Sequence, residues 1–146
     1  MSRLLRTLFL VFFIGSCGVL SSGSAPRNLD NACSILQQRP HFHKAFKSAQ
    51  KSWGVPINVQ MAMIHQESRF RSNAKTPMRY FLGILPLGRQ SSAYGYAQAL
   101  DGTWNEYKKS TSRLFARRSN IRDAADFMGW YMTETKRRNR IPLSNA

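Results

Sequence analysis

The chain has 146 residues, 22 Lys+Arg against 7 Asp+Glu, a formal charge of +15 and two cysteines. That length holds a single domain; 42% apolar and 12% aromatic residues exclude a disordered basic tail, and two cysteines exclude a disulfide-dense miniprotein or a four-cysteine zinc module. The charge points to polyanionic surroundings (nucleic acid, anionic lipid or an acidic cell-wall polymer) without choosing among them.

The N-terminal segment narrows that choice. Arg3 and Arg6 precede an uninterrupted apolar run, Leu8 to Ile14. The run is too short to span a bilayer and no stop-transfer pattern follows, which predicts a secretory signal over residues 1–16. Ile14-Gly15-Ser16-Cys17 resembles a bacterial lipobox and predicts lipidation of Cys17 as the first mature residue. Without lipid, Cys17 and Cys33 are free to pair in an oxidising compartment. Removal of residues 1–16 takes away only Arg3 and Arg6, so 20 basic and 7 acidic residues leave +13 on the exported part. Export turns that charge away from nucleic acid and toward the cell envelope.

Residues 17–29, small and polar with one proline, read as a tether, and residues 30–146 as the domain. Asp30 or Asn31 caps a short helix through Gln38, ended by Pro40. A second helix fits Phe42 to Trp53, with Phe42, Phe46, Ala49 and Trp53 on one face and Lys44, Lys47 and Lys51 on the other. Gly54 closes it, and Pro56 starts the next helix near its first position. That third helix, about Pro56 to Phe70, is apolar nearly all round up to His65 and is predicted to be buried. Tyr80 to Leu87 is apolar but interrupted by Gly83 and Pro86; it reads as a short strand or an apolar loop, part of the core or lying beside a groove or a membrane. Ser91 to Gln98 supplies small hydroxyls, Tyr94 and Tyr96 around Gly95, and Gln98, the residue types a sugar site uses: rings for apolar faces, amides for hydroxyls. Asp101 is predicted to cap a helix from Gly102 to Thr111. The last helix starts at the cap Asn120. Ile121, Ala124, Ala125, Met128, Tyr131 and Met132 form its face, Asp123 and Asp126 complement its dipole in the first turns, and Lys136 to Arg138 do so at its end.

Between Asp30 and Asp101 the only carboxylate is Glu67, at the end of the apolar third helix in a strongly basic segment. A carboxylate there is costly without a partner or a role. The alternatives are a salt bridge to Arg69 or Arg71, solvent exposure, or service as a general acid. A helix C-terminus disfavours negative charge, which suits the last.

Three segments carry a family resemblance: Ile64 to Phe70 (IHQESRF), Ser91 to Tyr107 (SSAYGYAQALDGTWNEY) and Asn120 to Tyr131 (NIRDAADFMGWY). Together they resemble the soluble lytic transglycosylase domain, a member of the lysozyme superfamily similar to goose-type lysozyme, over roughly residues 40–140. Glu67-Ser68 matches the family's Glu-Ser pair, Gly95-Tyr96-Ala97-Gln98 its Gly-x-x-Gln turn, and Asn120-Ile121 the start of its long helix. A third motif, Ala-Tyr-Asn or Ala-Tyr-His, has no counterpart in Ile141 to Ala146, so the chain reads as shorter than the domain it resembles.

The resemblance implies a mainly α, lysozyme-like fold: a helical bundle around a glycan groove with little or no strand. It implies a peptidoglycan lytic transglycosylase that cleaves the MurNAc–GlcNAc β-1,4 bond and leaves a 1,6-anhydromuramic end. Glu67 would serve alone as acid and base, because the substrate's own C6 hydroxyl is the nucleophile. Ser68 would hydrogen-bond near the acid, Gly95 and Gln98 would line the groove, and Tyr94 and Tyr96 would wall it. No cofactor or metal is expected: His41-x-His43 lacks further ligands, and His65-Gln66-Glu67 is not the HExxH pattern. The expected partners are peptidoglycan and a membrane reached through Cys17, with no nucleic acid, for a monomer in the periplasm anchored to the outer membrane. The runner-up is an inactive relative that binds peptidoglycan as an envelope protein.

Overall fold

The structure, a computed structural model, describes residues 24–139. The predicted signal, the Cys17 lipidation site and the segment from Ile141 to Ala146 lie outside the described residues. Five helices and one hairpin follow in order: α1 (Ala32–Gln38), α2 (Pro40–Trp53), α3 (Ile57–Ser68), β1 (Met78–Phe81), β2 (Leu85–Arg89), α4 (Asp101–Ser110) and α5 (Ile121–Arg138). The architecture is the mainly α bundle expected, with one antiparallel hairpin as its only sheet among the described residues. No described helix is long and apolar enough to cross a membrane.

Local chemistry sets most boundaries. Asn31 caps α1 by accepting from the Ser34 N–H at 2.9 Å, and Asn120 caps α5 by accepting from the N–H groups of Arg122 (2.9 Å) and Asp123 (3.4 Å). Pro40 does more than end α1: it opens α2, where its fixed φ and missing N–H cost nothing. Pro56 is the cap of α3 and Ile57 its first residue, one position later than expected. Asp101 is not a cap. It is the first residue of α4, behind Leu100, and its carboxylate pairs with Arg118 at 2.7 Å.

The core is an α2–α5 crossing with α3 and α4 laid against it. Phe42, Phe46, Ile64, Phe70 and Tyr96 form one half; Trp104, Tyr107, Phe127 and Trp130 form the other. Phe42 stacks on Phe70 at 5.9 Å and meets Tyr96 edge-on at 5.7 Å. Full burial of a side chain this size contributes roughly 1.5–3 kcal/mol. Gly129 lets α5 close on α2: a Cβ there would lie 2.4 Å from the Trp53 ring. Gln60, buried in the first turn of α3, donates to the carbonyls of Phe46 (3.0 Å) and Val55 (2.8 Å) and so ties α3 to α2 and the turn that follows it.

Helix α3 is not buried all round. Only Gln60, Met61, Ile64 and Ser68 are buried, because a cleft runs along each side of it. One is an apolar groove of about 570 Å³ shared with α1, lined by Leu36, Ile57, Met61, His65 and Phe70 among others. The other contains Glu67.

Candidate functional site

Glu67 is exposed on the last turn of α3. The helix stops immediately behind it, where Arg69 (φ 50°) and Phe70 (φ 58°) both adopt left-handed backbone. Two such residues outside glycine are held only by their surroundings. Here the Phe70 ring, 1% exposed, is the anchor. The end of α3 is thereby fixed against the core one turn from the carboxylate.

Neither arginine beside Glu67 pairs with it. The Arg71 guanidinium donates to the Ser68 carbonyl at 3.2 Å. Five of the seven carboxylates meet arginine: Asp101 with Arg118, Glu106 with Arg138, Asp123 and Asp126 with Arg113, Glu134 with Arg137. Among the described residues only Asp30 and Glu67 have no cation within 4 Å. Asp30 sits at the apolar groove on the far side of α3.

The cleft at Glu67 has a volume of about 240 Å³. Met63 and Glu67 form one wall, Ala97 to Leu100 the floor, and Thr103 of α4 with Phe127, Met128 and Tyr131 of α5 the other side. It holds one carboxylate. Its remaining polar side chains are Gln98, Thr103 and Tyr131.

The floor is a tight turn with an obligatory glycine. Gly95 has φ 80°, and a Cβ on it would lie 2.2 Å from the Arg118 carbonyl oxygen. Its N–H donates to the Ala74 carbonyl at 2.9 Å, and the next N–H, of Tyr96, donates to Arg118 at 3.1 Å. Gln98, itself left-handed at φ 45°, uses its amide nitrogen to donate to Ala74 (3.0 Å) and Gly95 (2.8 Å). The turn therefore carries its own brace, and the Gln98 carbonyl oxygen is the amide atom left for the cleft.

Three residues expected at the groove stand elsewhere. Ser68 is 2% exposed and donates back to the Ile64 carbonyl at 3.1 Å, a helix-internal role. Tyr96 is core, and burial pushes its phenol above the ordinary value. Tyr94 lines a neighbouring cleft with Asp101 and Trp104, its ring flanked by Lys75 and Arg118, each 5.5 Å from the centroid. The short motif placed these tyrosines near the groove, but sequence order did not give side-chain direction.

Tyr131, by contrast, belongs by sequence pattern only to a helical face. It is 46% exposed, stacks on Phe127 at 5.8 Å and reaches the Glu67 cleft. A tyrosine at the edge of a face otherwise made of Ala, Met and Ile is the signal that would have marked it. Asp126 does not line the Glu67 cleft. It accepts from Trp53 Nε1 (3.0 Å) and the Tyr107 hydroxyl (2.7 Å) and pairs with Arg113 (2.9 Å). Burial, then that carboxylate, raises the Tyr107 phenol well above its ordinary range. Among the described residues no three His, Cys, Asp or Glu side chains gather as a metal site, and Cys33 is an exposed thiol.

A family model described as Transglycosylase SLT domain matches residues 5–146, and the chain belongs to that family, one of lytic transglycosylases acting on peptidoglycan through a lysozyme-like fold. Comparisons with curated proteins and with solved structures give no match.

Proposed function

We propose that the chain cleaves the MurNAc–GlcNAc β-1,4 bond of peptidoglycan without water, with Glu67 as the single acid and base. What supports this reading above all is a cleft with one carboxylate and no second acid within it. Hydrolytic glycosidases ordinarily need two, one to protonate the leaving oxygen and one to activate water or attack the sugar. Intramolecular transfer needs only one. Protonated Glu67 gives its proton to the glycosidic oxygen as the bond to the anomeric carbon breaks. The C6 hydroxyl of the same muramic residue then forms the new bond to that carbon and returns its proton to Glu67. The products are a free GlcNAc hydroxyl and a 1,6-anhydro end, and Glu67 finishes as it began.

The other polar groups take supporting parts. The Gln98 carbonyl oxygen accepts from a sugar hydroxyl, its amide nitrogen being engaged by the turn. Tyr131, beside the same cleft, orients the Glu67 carboxyl or the departing sugar. The exposed lysines and arginines hold the chain near acidic wall polymers.

Muropeptide analysis of sacculi incubated with the protein tests the reading. Anhydro-muropeptides are expected, and Glu67→Gln should lower their release by roughly 10²- to 10⁴-fold, the usual contribution of a positioned acid–base group. Sacculus binding without release by the unaltered chain would instead support an inactive peptidoglycan-binding protein. Arg3, Arg6, the Leu8–Ile14 run and the Cys17 lipobox support export and anchoring to the outer membrane facing the periplasm. Labelling with radioactive palmitate that Cys17→Ser abolishes is the expected result.

A further inference from the structure

We infer that the β1–β2 hairpin is a bilayer-docking element that seats its apolar tip in an anionic lipid surface. The inference does not rest on the catalytic reading. The hairpin carries seven large apolar side chains, and none joins the core. Exposure rises along it: 36% at Met78, 53–61% at Tyr80, Phe81, Leu85 and Leu87, then 81% and 80% at Leu82 and Ile84 on either side of the turn. Scattered exposed apolar residues are ordinary in a folded protein, but a contiguous set that culminates at a protruding tip is not.

Two observations select the occupant. The first is that the apolar residues lie on both faces of the ribbon. Tyr80 and Phe81 are consecutive in β1 and so point to opposite sides, yet both are half exposed. A protein partner laid on the ribbon covers one face. A fluid apolar phase covers both at once. The second is charge. No acidic residue lies between Glu67 and Asp101, whereas Arg69, Arg71, Lys75, Arg79 and Arg89 do, and none of these five is ion-paired among the described residues. Arg79 and Arg89 stand at the base of the hairpin, where β1 and β2 pair Met78 with Arg89 and Arg79 with Gly88. At about 3.3 Å per residue the tip lies roughly 13 Å beyond them, enough to cross the headgroup layer and reach the acyl boundary. Guanidinium groups at headgroup level with Leu and Ile below them is the arrangement an anionic surface recognises.

The tip itself is built against local preference. Leu82 has φ 51°, in a turn closed by the Ile84 N–H donating to Phe81 at 3.1 Å. Glycine or asparagine would hold that backbone more easily. A leucine that is both strained and exposed serves neither the turn nor the core. The open edges of the ribbon limit insertion to the headgroup–acyl boundary, since unpaired backbone groups are not tolerated deeper.

The test uses the full chain, because its N-terminal apolar run could adsorb by itself. Leu82→Trp and, as a control on the exposed last turn of α2, Lys51→Trp are each compared with the unaltered chain on vesicles of phosphatidylethanolamine and phosphatidylglycerol with brominated acyl chains. At full vesicle binding, the emission added at position 82 should shift to shorter wavelength and be quenched at least threefold more than that at position 51. Replacing phosphatidylglycerol by phosphatidylcholine, or adding Arg79→Gln with Arg89→Gln, should weaken the quenching at position 82. Equal quenching at the two positions, or none at position 82, would overturn the inference. So would shielding of position 82 by protein concentration alone, which would mean a second copy, or by glycan alone, which would mean the groove.

Discussion

Removing the carboxylate of Asp126 should unfold much of the protein's stability while leaving the chemistry of each folded molecule alone. In Asp126→Ala the Tyr107 hydroxyl, now 2.7 Å from Oδ2, and the Trp53 indole N–H, 3.0 Å from Oδ1, both lose their acceptor in a largely apolar setting. A hydrogen bond to a charged group contributes about 1.5–3 kcal/mol. The Arg113 pair adds about 1 kcal/mol at most, since Arg113 is 36% exposed. These terms are not additive, and a loss of roughly 3–5 kcal/mol is expected, a large share of the 5–15 kcal/mol typical of a domain. Urea unfolding followed by tryptophan emission should show the midpoint falling by about 1.5–3 M for a slope near 1.5–2 kcal/mol/M. A double-mutant cycle with Tyr107→Phe should return a coupling above about 1 kcal/mol. Glycan release normalised to folded protein should stay within about twofold. A stability loss below 1 kcal/mol would refute the network. Loss of release without loss of stability would refute it too, and would assign Asp126 to the chemistry instead.

Three further outcomes follow from the same geometry. Gly95→Ala forces a Cβ to within 2.2 Å of the Arg118 carbonyl oxygen at φ 80°. It should cost roughly 2–4 kcal/mol by thermal melting and lower glycan release per folded molecule, because the turn that presents Gln98 must shift. Asn120→Ala should cost about 1 kcal/mol in the same melt, with Asn120→Ser recovering most of it. Partial desolvation of the ring, aided by Arg39, holds His41 below its ordinary pKa of 6.5. The folded state therefore binds this proton less readily than the unfolded state, so stability is full above 6.5 and declines as pH falls through the folded value. His41→Gln should flatten the fall of Tm between about pH 7.5 and 5.5; an unchanged slope would refute the assignment.

What was legible in the sequence was what local chemistry decides. Asn31 and Asn120 cap helices through bonds to residues two or three positions away, and the 3.6-residue spacing of Phe42, Phe46 and Ala49 marked a face that is buried. The isolation of Glu67 was also visible, because a count of acids needs no coordinates. What was not legible depended on direction and on distant partners. Proline marks a stop and a start with equal force, so Pro40 read as the end of α1. Tyr94 and Tyr96 sit one on each side of Gly95, and the turn sends one ring into the core and the other between Lys75 and Arg118. Tyr131 shares a cleft with Glu67 only because α5 crosses beside α3. The hairpin lacked the alternation that identifies a strand, since it buries neither face.

The hairpin is fastened at a narrow neck. The Thr76 hydroxyl donates to the Ser91 carbonyl at 2.9 Å, and below it Lys75 bridges to Tyr94. Both strands thus leave and rejoin the domain at almost one point, between the segment that ends in Glu67 and the turn that carries Gln98. A stem of this kind makes the hairpin an exchangeable cassette. Its length and chemistry can drift through insertion, deletion or substitution while the two halves of the cleft keep their spacing. Related chains are therefore expected to differ most in what projects from this neck.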